Sequence, residues 1–233
     1  MVHGGGHGGW CFRPLAQRMR ARGHEVYAPT LTGLGDRAHL LTAQTTLDTH
    51  IEDIARLLDF EDLREVILLG HSYGGMVVTG TADRQAARIR RLVYLDAPVP
   101  RHGDSVMSQS PGLAAFKDVR TVGGIELGLW PQAVVGPIYG LTDTDQLAWA
   151  LPRLTPHPWR TLEEPLVLQN PEAVAAIPRA IINCTSTLAR RPEADRARWQ
   201  DGDRVREIDC GHDLMLIAPD EVADLVCEIA CLP

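Results

Sequence analysis

The sequence predicts an α/β fold: a mostly parallel central sheet flanked by helices, with a helical lid inserted after a strand that ends at Asp96. Three observations predict it. Strand-like apolar runs alternate with helical periodicities over the first hundred residues and again after about residue 171, the pattern of a parallel sheet with crossover helices. Glu65 to Leu69 reads as a continuous apolar strand, as a parallel sheet covered on both faces requires, and Ile89 to Leu95 reads as the next strand. Residues 100–170 break the rhythm with many Pro and Gly and scattered Trp.

The elements follow in order. Residues 10–22 read as a helix closed by Gly23, and His24 to Ala28 as a short strand closed by Pro29. Residues 46–59 carry Leu47, Ile51, Ile54, Leu57 and Leu58 at helical spacing. A helix is expected from about Tyr73 to Ala82, then the strand ending at Leu95. Beyond the insertion come a strand over Arg179 to Cys184, a polar helix near 193–200, a strand over Val205 to Asp209, and a last helix from Pro219, which suits a first turn. The predicted division is a core of residues 1–99 and 171–233 with a lid over 100–170.

The 233 residues are 45% hydrophobic and 23% charged, enough for a sizeable core and against disorder. No apolar run reaches the ~18–20 residues of a membrane span. A net charge of −7 without a basic stripe argues against nucleic acid as the partner. The five cysteines are scattered with no C-x-x-C pair, which reads as reduced thiols in the cytoplasm. Cys227 and Cys231, spaced i, i+4, are expected to face the core. Residues 1–10 lack the charged start and apolar stretch of a secretory signal.

Gly70-His71-Ser72-Tyr73-Gly74-Gly75 fits G-x-S-x-G between a buried strand and a helix. Glycines at 70 and 74 let the backbone turn sharply, and Ser72 then stands at the carboxyl end of the sheet. A serine hydroxyl needs a base. His212 follows the last strand and precedes the last helix, and is the expected base. The other histidines are assigned structural or solvated roles, His71 beneath the turn. His3-Gly4-Gly5-Gly6-His7-Gly8-Gly9-Trp10 offers backbone N–H groups that a carbonyl oxygen can approach. The oxyanion donors are assigned as the N–H of Gly5 and of Tyr73. His3 and His7 lack a third ligand and a helical spacing, so no metal is expected. Gly33 to Ala38 matches a dinucleotide fingerprint, but four residues separate it from the preceding strand, so no cofactor is expected.

The residues His3 to Trp10, Gly70 to Gly75 and Gly211-His212 resemble the α/β-hydrolase superfamily across nearly the whole chain. More narrowly, they look like the plant methyl esterases, hydroxynitrile lyases and bacterial pyrethroid-hydrolase-like esterases. In that group the first strand starts about five residues before His3, so the opening reads as the end of a strand. The resemblance implies a triad acid after the strand that follows the lid, yet Thr185 to Pro192 hold no carboxylate. Asp96, at the end of the strand before the lid, is assigned instead, a position similar to that in certain haloalkane dehalogenases; Asp195 and Asp104 are the rivals. Similar lyases carry Lys after the catalytic His and Thr after the first His, where this chain has Asp213 and Gly4. The implied activity is therefore a serine hydrolase that cleaves a small to medium, largely apolar carboxylic ester or lactone through an acyl-enzyme. A non-hydrolytic cyclase, lyase or ligand-binding protein of the same fold stays open, as does a homodimer. The partner expected is a small-molecule ester, with no membrane. Trp130, Trp149, Trp159, Leu127, Leu129, Leu141, Leu147 and Ile138 of the lid either line the pocket or pack the lid, and Thr155 to Trp159 is read as a stiffener.

Overall fold

The computed structural model describes residues 1–116, 118–129 and 132–232. In chain order the elements are α1 (Arg13–Ala21), α2 (Leu47–Phe60), β1 (Val66–His71), α3 (Gly74–Gln85), β2 (Ile89–Leu95), α4 (Val106–Gln109), β3 (Asp118–Val122), β4 (Ile125–Leu129), α5 (Gln132–Tyr139), α6 (Thr144–Ala150), β5 (His157–Pro158), α7 (Arg160–Glu163), α8 (Pro171–Ala176), β6 (Arg179–Cys184), α9 (Thr185–Ala189), α10 (Glu193–Arg196), β7 (Arg204–Ile208), α11 (Leu214–Ile217) and α12 (Pro219–Ala230), with short 3-10 turns between some of them.

The central sheet has the order β1-β2-β6-β7 and every pairing is parallel. Alternate residues of a strand point to opposite faces. Leu68, Leu92, Tyr94 and Ile181 join a core with α2, α3 and α8. Leu69, Val93, Leu95, Ala180 and Ile182 join a second core with α1, α11 and α12. Both faces of the inner strands are thus buried, which is why β1 and the carboxyl half of β2 are continuously apolar, whereas the edge strand β7 is mostly half-buried or exposed and keeps Arg204, Arg206 and Glu207. Helix α2 starts where Thr46 and Thr49 form a capping box.

Three expectations meet a different structure. The strand over 24–28 is an extended segment outside both sheets. A strand needs a neighbour over several residues, and only Met1 and Val2 run between this segment and β1. The Met1 amine donates to the Tyr27 carbonyl at 2.8 Å, and Val2 makes a single parallel bridge to Gly70. A cavity of about 270 Å³ lies between this segment and β1. The insertion is not purely helical. It leaves after β2 and returns before the neighbouring β6, and it folds β3-β4-β5 into an antiparallel sheet, with Leu127 opposite Pro158. Gly123 and Gly124, both at positive φ, make the hairpin turn. Finally, Cys227 is half-buried against the second core beside Met19 and His24, as its helical position suggests, but Cys231, one residue past the end of α12, is exposed.

Of the insertion's apolar residues, Leu127, Leu141 and Trp159 are buried and Trp149 packs on Trp10 with ring centroids 5.3 Å apart. Trp130 and the Leu129 side chain lie outside the described part of the structure. Among the described residues, no helix is long and apolar enough to cross a membrane.

Candidate active site

The turn between β1 and α3 is built by close approach. A Cβ on Gly70 would lie 2.5 Å from the Gly74 carbonyl oxygen, and one on Gly74 would lie 2.4 Å from that of Val2. Only glycine fits at either place. Between them Ser72 is held at φ +52°, a conformation that non-glycine residues rarely adopt. Its N–H donates to the Leu95 carbonyl at 3.2 Å, which fastens the turn to the end of the neighbouring β2.

Asp96 takes the corresponding place one strand over. It too has positive φ, +44°, and its N–H donates to Ile182 of β6 at 2.7 Å. Its carboxylate is fully buried. Oδ1 accepts the Cys184 N–H at 3.0 Å; Oδ2 lies 2.5 Å from His212 Nδ1 and 2.9 Å from Cys184 Sγ. Burial alone raises a carboxyl group, but the hydrogen bonds from His212 and Cys184 outweigh it and hold Asp96 below its ordinary value. The carboxylate is therefore ionised and faces the imidazole. Burial, then the Asp96 charge, pushes the Cys184 thiol far up, so it stays protonated as a donor. Asp96, Cys184 and His212 could geometrically surround a metal ion. A thiol kept protonated is a poor metal ligand, and the three groups already satisfy one another.

Ser72 and His212 line one cavity of about 610 Å³. Its walls are mainly apolar, with Met76, Pro98, Leu113 and Ile138, while Arg190, Arg191 and Asp195 stand on one side. Arg191 is held over the Trp199 ring at 4.4 Å and donates to Ser110 Oγ at 2.8 Å. Of the insertion residues named from sequence, Ile138 lines this cavity. The rival acid Asp104 is engaged with Arg198 and with the Arg101 backbone N–H, and Asp195 stands on the cavity wall while Asp96 holds the imidazole.

The opening loop lies against the Ser72 turn. A Cβ on Gly4 would come 2.8 Å from His71 Nδ1 and 3.1 Å from Ser72 Cβ, which explains the glycine. Neither the Gly5 N–H nor the Tyr73 N–H has a partner among the described residues, whereas the Gly6 N–H donates to His157 Nδ1 at 3.2 Å. His71 is buried and its Nε2 faces the His212 carbonyl at 2.9 Å; burial lowers it to about 3, so it is neutral. His50 Nδ1 lies 2.6 Å from the Tyr73 hydroxyl. Asp213 is not solvated: its carboxylate lies 3.1 Å from His7 Nε2, with both side chains buried. Sequence reading missed Cys184, His7, His157 and Asp213 as parts of this site. Only His7 and Asp213 carried a signal, since each is adjacent to an assigned motif.

The alpha/beta hydrolase family model matches residues 1–225. The chain is 40% identical over 235 residues to a carbendazim hydrolyzing esterase of Nocardioides sp. (strain SG-4G), covering 96% of each chain. It is 33% identical over 103 residues to methylesterase 18 of Arabidopsis thaliana, covering 44% of this chain and 39% of that protein. Among solved structures, an extracellular alpha/beta-hydrolase from a Paenibacillus species superposes with a TM-score of 0.83 at 23% identity, over 97% of this chain and 96% of that one.

Proposed function

The chain belongs to the alpha/beta hydrolase family, and from that premise we propose that it hydrolyses carboxylic esters with Ser72 as nucleophile, His212 as base and Asp96 as the acid that orients the base. That it is a carboxylic ester hydrolase follows from its likeness to the carbendazim hydrolyzing esterase and the methylesterases. The observation that carries the residue assignment is the His212 ring: Nδ1 is committed to buried Asp96, while the ring shares a cavity wall with Ser72.

His212 takes the Ser72 proton as the hydroxyl attacks the ester carbonyl, and Asp96 stabilises the imidazolium that forms. The N–H groups of Gly5 and Tyr73 receive the oxyanion. The tetrahedral intermediate collapses as His212 protonates the leaving alcohol, and water, activated by the same imidazole, releases the acid. The mainly apolar walls favour a small to medium, largely apolar ester; methyl esters are the first class to try, given the named relatives. Residues 100–170 serve as the lid over this cavity. The five scattered cysteines, with no C-x-x-C pair, fit a reducing, cytoplasmic setting.

Ser72→Ala is the direct test. With p-nitrophenyl butyrate or a methyl ester, kcat/KM should fall by at least about 1000-fold, and labelling by a fluorophosphonate should vanish. Unchanged turnover in the variant would refute the assignment. A wild type with neither turnover nor labelling would point to the non-hydrolytic role instead.

A further inference from the structure

We propose that His7 is a positioning residue: held as an imidazolium by the Asp213 carboxylate, it clamps the Gly5 carbonyl and so fixes the loop that presents the Gly5 N–H to the cavity. The inference rests on the function proposed above and extends it beyond the triad.

Three histidines grip the loop, and their partners fix their protonation. His3 Nε2 accepts the Leu31 N–H at 3.0 Å, so its proton sits on Nδ1, which donates to the Gly4 carbonyl at 2.9 Å. His157 Nδ1 accepts the Gly6 N–H, so its proton sits on Nε2, 2.8 Å from Thr161 Oγ1. Both rings are neutral. His7 differs. Nδ1 lies 2.9 Å from the Gly5 carbonyl oxygen, and Nε2 lies 3.1 Å from Asp213 Oδ2. A carbonyl and a carboxylate can only accept, so both ring nitrogens carry hydrogen.

The charge has its counter-ion. Burial disfavours the imidazolium, but the Asp213 charge and the hydrogen bonds outweigh it, and His7 is raised above its ordinary value. Asp213 is correspondingly held low. Asp213 Oδ1 is buried without a hydrogen-bond partner, so the His7 ring is what compensates the carboxylate. The other titratable groups around His7 are His71 at the end of β1, 6.0 Å between ring centroids, Tyr139 of α5 at 5.1 Å, and His3 and His157. Those rings are neutral and the phenol is pushed far up, so Asp213 is the one charged group among the described residues that faces it.

The consequence for the oxyanion site follows from peptide geometry. The peptides of the described residues are trans, so an N–H points opposite to the carbonyl of the preceding residue. The Gly4 carbonyl is held by His3 Nδ1 and, at 3.4 Å, by the His7 N–H. The Gly5 N–H must then point away from both. The next peptide is pinned at its two ends, by His7 on the Gly5 carbonyl and by His157 on the Gly6 N–H. Asp213 directly follows His212, and its N–H donates to the Tyr139 carbonyl at 2.9 Å. One buried ion pair therefore ties the proposed oxyanion donor to the proposed base.

The test pairs a spectrum with kinetics. In 15N-labelled protein, long-range 1H–15N spectra report both nitrogens of each histidine ring, and His7 is assigned by loss of its signals in His7→Gln. Wild type should show His7 doubly protonated at pH 7.5. Asp213→Asn keeps a hydrogen-bonding partner of the same shape but removes the charge, so His7 should become neutral. In that variant kcat for p-nitrophenyl butyrate should fall at least about tenfold, short of the ~100–1000-fold loss of a whole oxyanion donor, with KM within about threefold. A neutral His7 in wild type overturns the proposal. So does an imidazolium in wild type with an unchanged kcat in Asp213→Asn. If wild type cleaves no ester, the functional reading fails, and the ring spectrum still decides whether the clamp exists.

Discussion

At the scale of single residues, two of the proposed catalytic groups sit in strained backbone. Ser72 and Asp96 both have positive φ, and each N–H is bonded to the next strand. Such strain persists only where the surroundings over-determine it. Asparagine tolerates that region better than most residues, so Asp96→Asn should fold. It should nonetheless lose about 10³–10⁴-fold in kcat, because the amide no longer compensates the imidazolium. A thermal melt within a few degrees of wild type beside a collapsed kcat would bear this out; a kcat within tenfold would remove Asp96 from its role. That Ser72 and His212 share one cavity was legible from motif and chain position. The contact of Asp96 with the His212 ring was legible by elimination, because residues 185–192 after β6 hold no carboxylate. Cys184 was not, since only the fold brings its N–H and thiol onto a carboxylate 88 residues away.

At the scale of elements, β2, β6 and α12 were legible to the residue because long apolar periodicities or a first-turn Pro mark them. The segment 24–28 has strand-like composition but lacks a partner, and pairing is not a local property. The hairpin β3-β4 was hidden among Pro, Gly and Trp that signal irregular chain. The junction of α5 with the His212 loop was equally invisible. There Gly140 and Gly211 touch backbone to backbone: a Cβ on Gly211 would lie 2.4 Å from Gly140 Cα and 2.8 Å from the Tyr139 oxygen. Neither obstacle is a side chain that can swing away. Gly211→Ala should therefore cost about 1–3 kcal/mol of stability and lower kcat by displacing His212. Gly136→Ala, where the nearest atom would be the Leu141 oxygen at an ordinary 3.8 Å, is the control. Denaturant titration and kcat of the two variants check this; a Gly211→Ala indistinguishable from the control would contradict it.

At the scale of the molecule, the buried histidines set the response to acid. Burial lowers His3 and His71 to about 3, and lowers His50 and His157 as well. Unfolded, each would titrate near 6.5. As pH falls below 6.5 the unfolded chain takes up protons that the folded one refuses, so stability falls by about 1.4 kcal/mol per pH unit for each fully neutral ring. His7 has the opposite sign: its contribution is complete below 6.5 and is lost as pH rises through its raised value. Asp96 and Asp213 contribute above 3.8 and lose this as pH falls through their lowered values. Four rings outweigh one, so the midpoint of urea unfolding should drop clearly between pH 7 and pH 5; a flat profile would contradict the burial of neutral rings. The insertion also has a bearing on the whole. Thr155 donates its N–H to the Gly6 carbonyl at 2.8 Å, and His157 takes the Gly6 N–H from the other side. The insertion, part of which lines the cavity, is thus also a foundation post for the opening loop. It cannot be cut out or exchanged for a foreign segment without loosening that loop, so changes in what the cavity admits and changes in how it reacts are bound to arrive together.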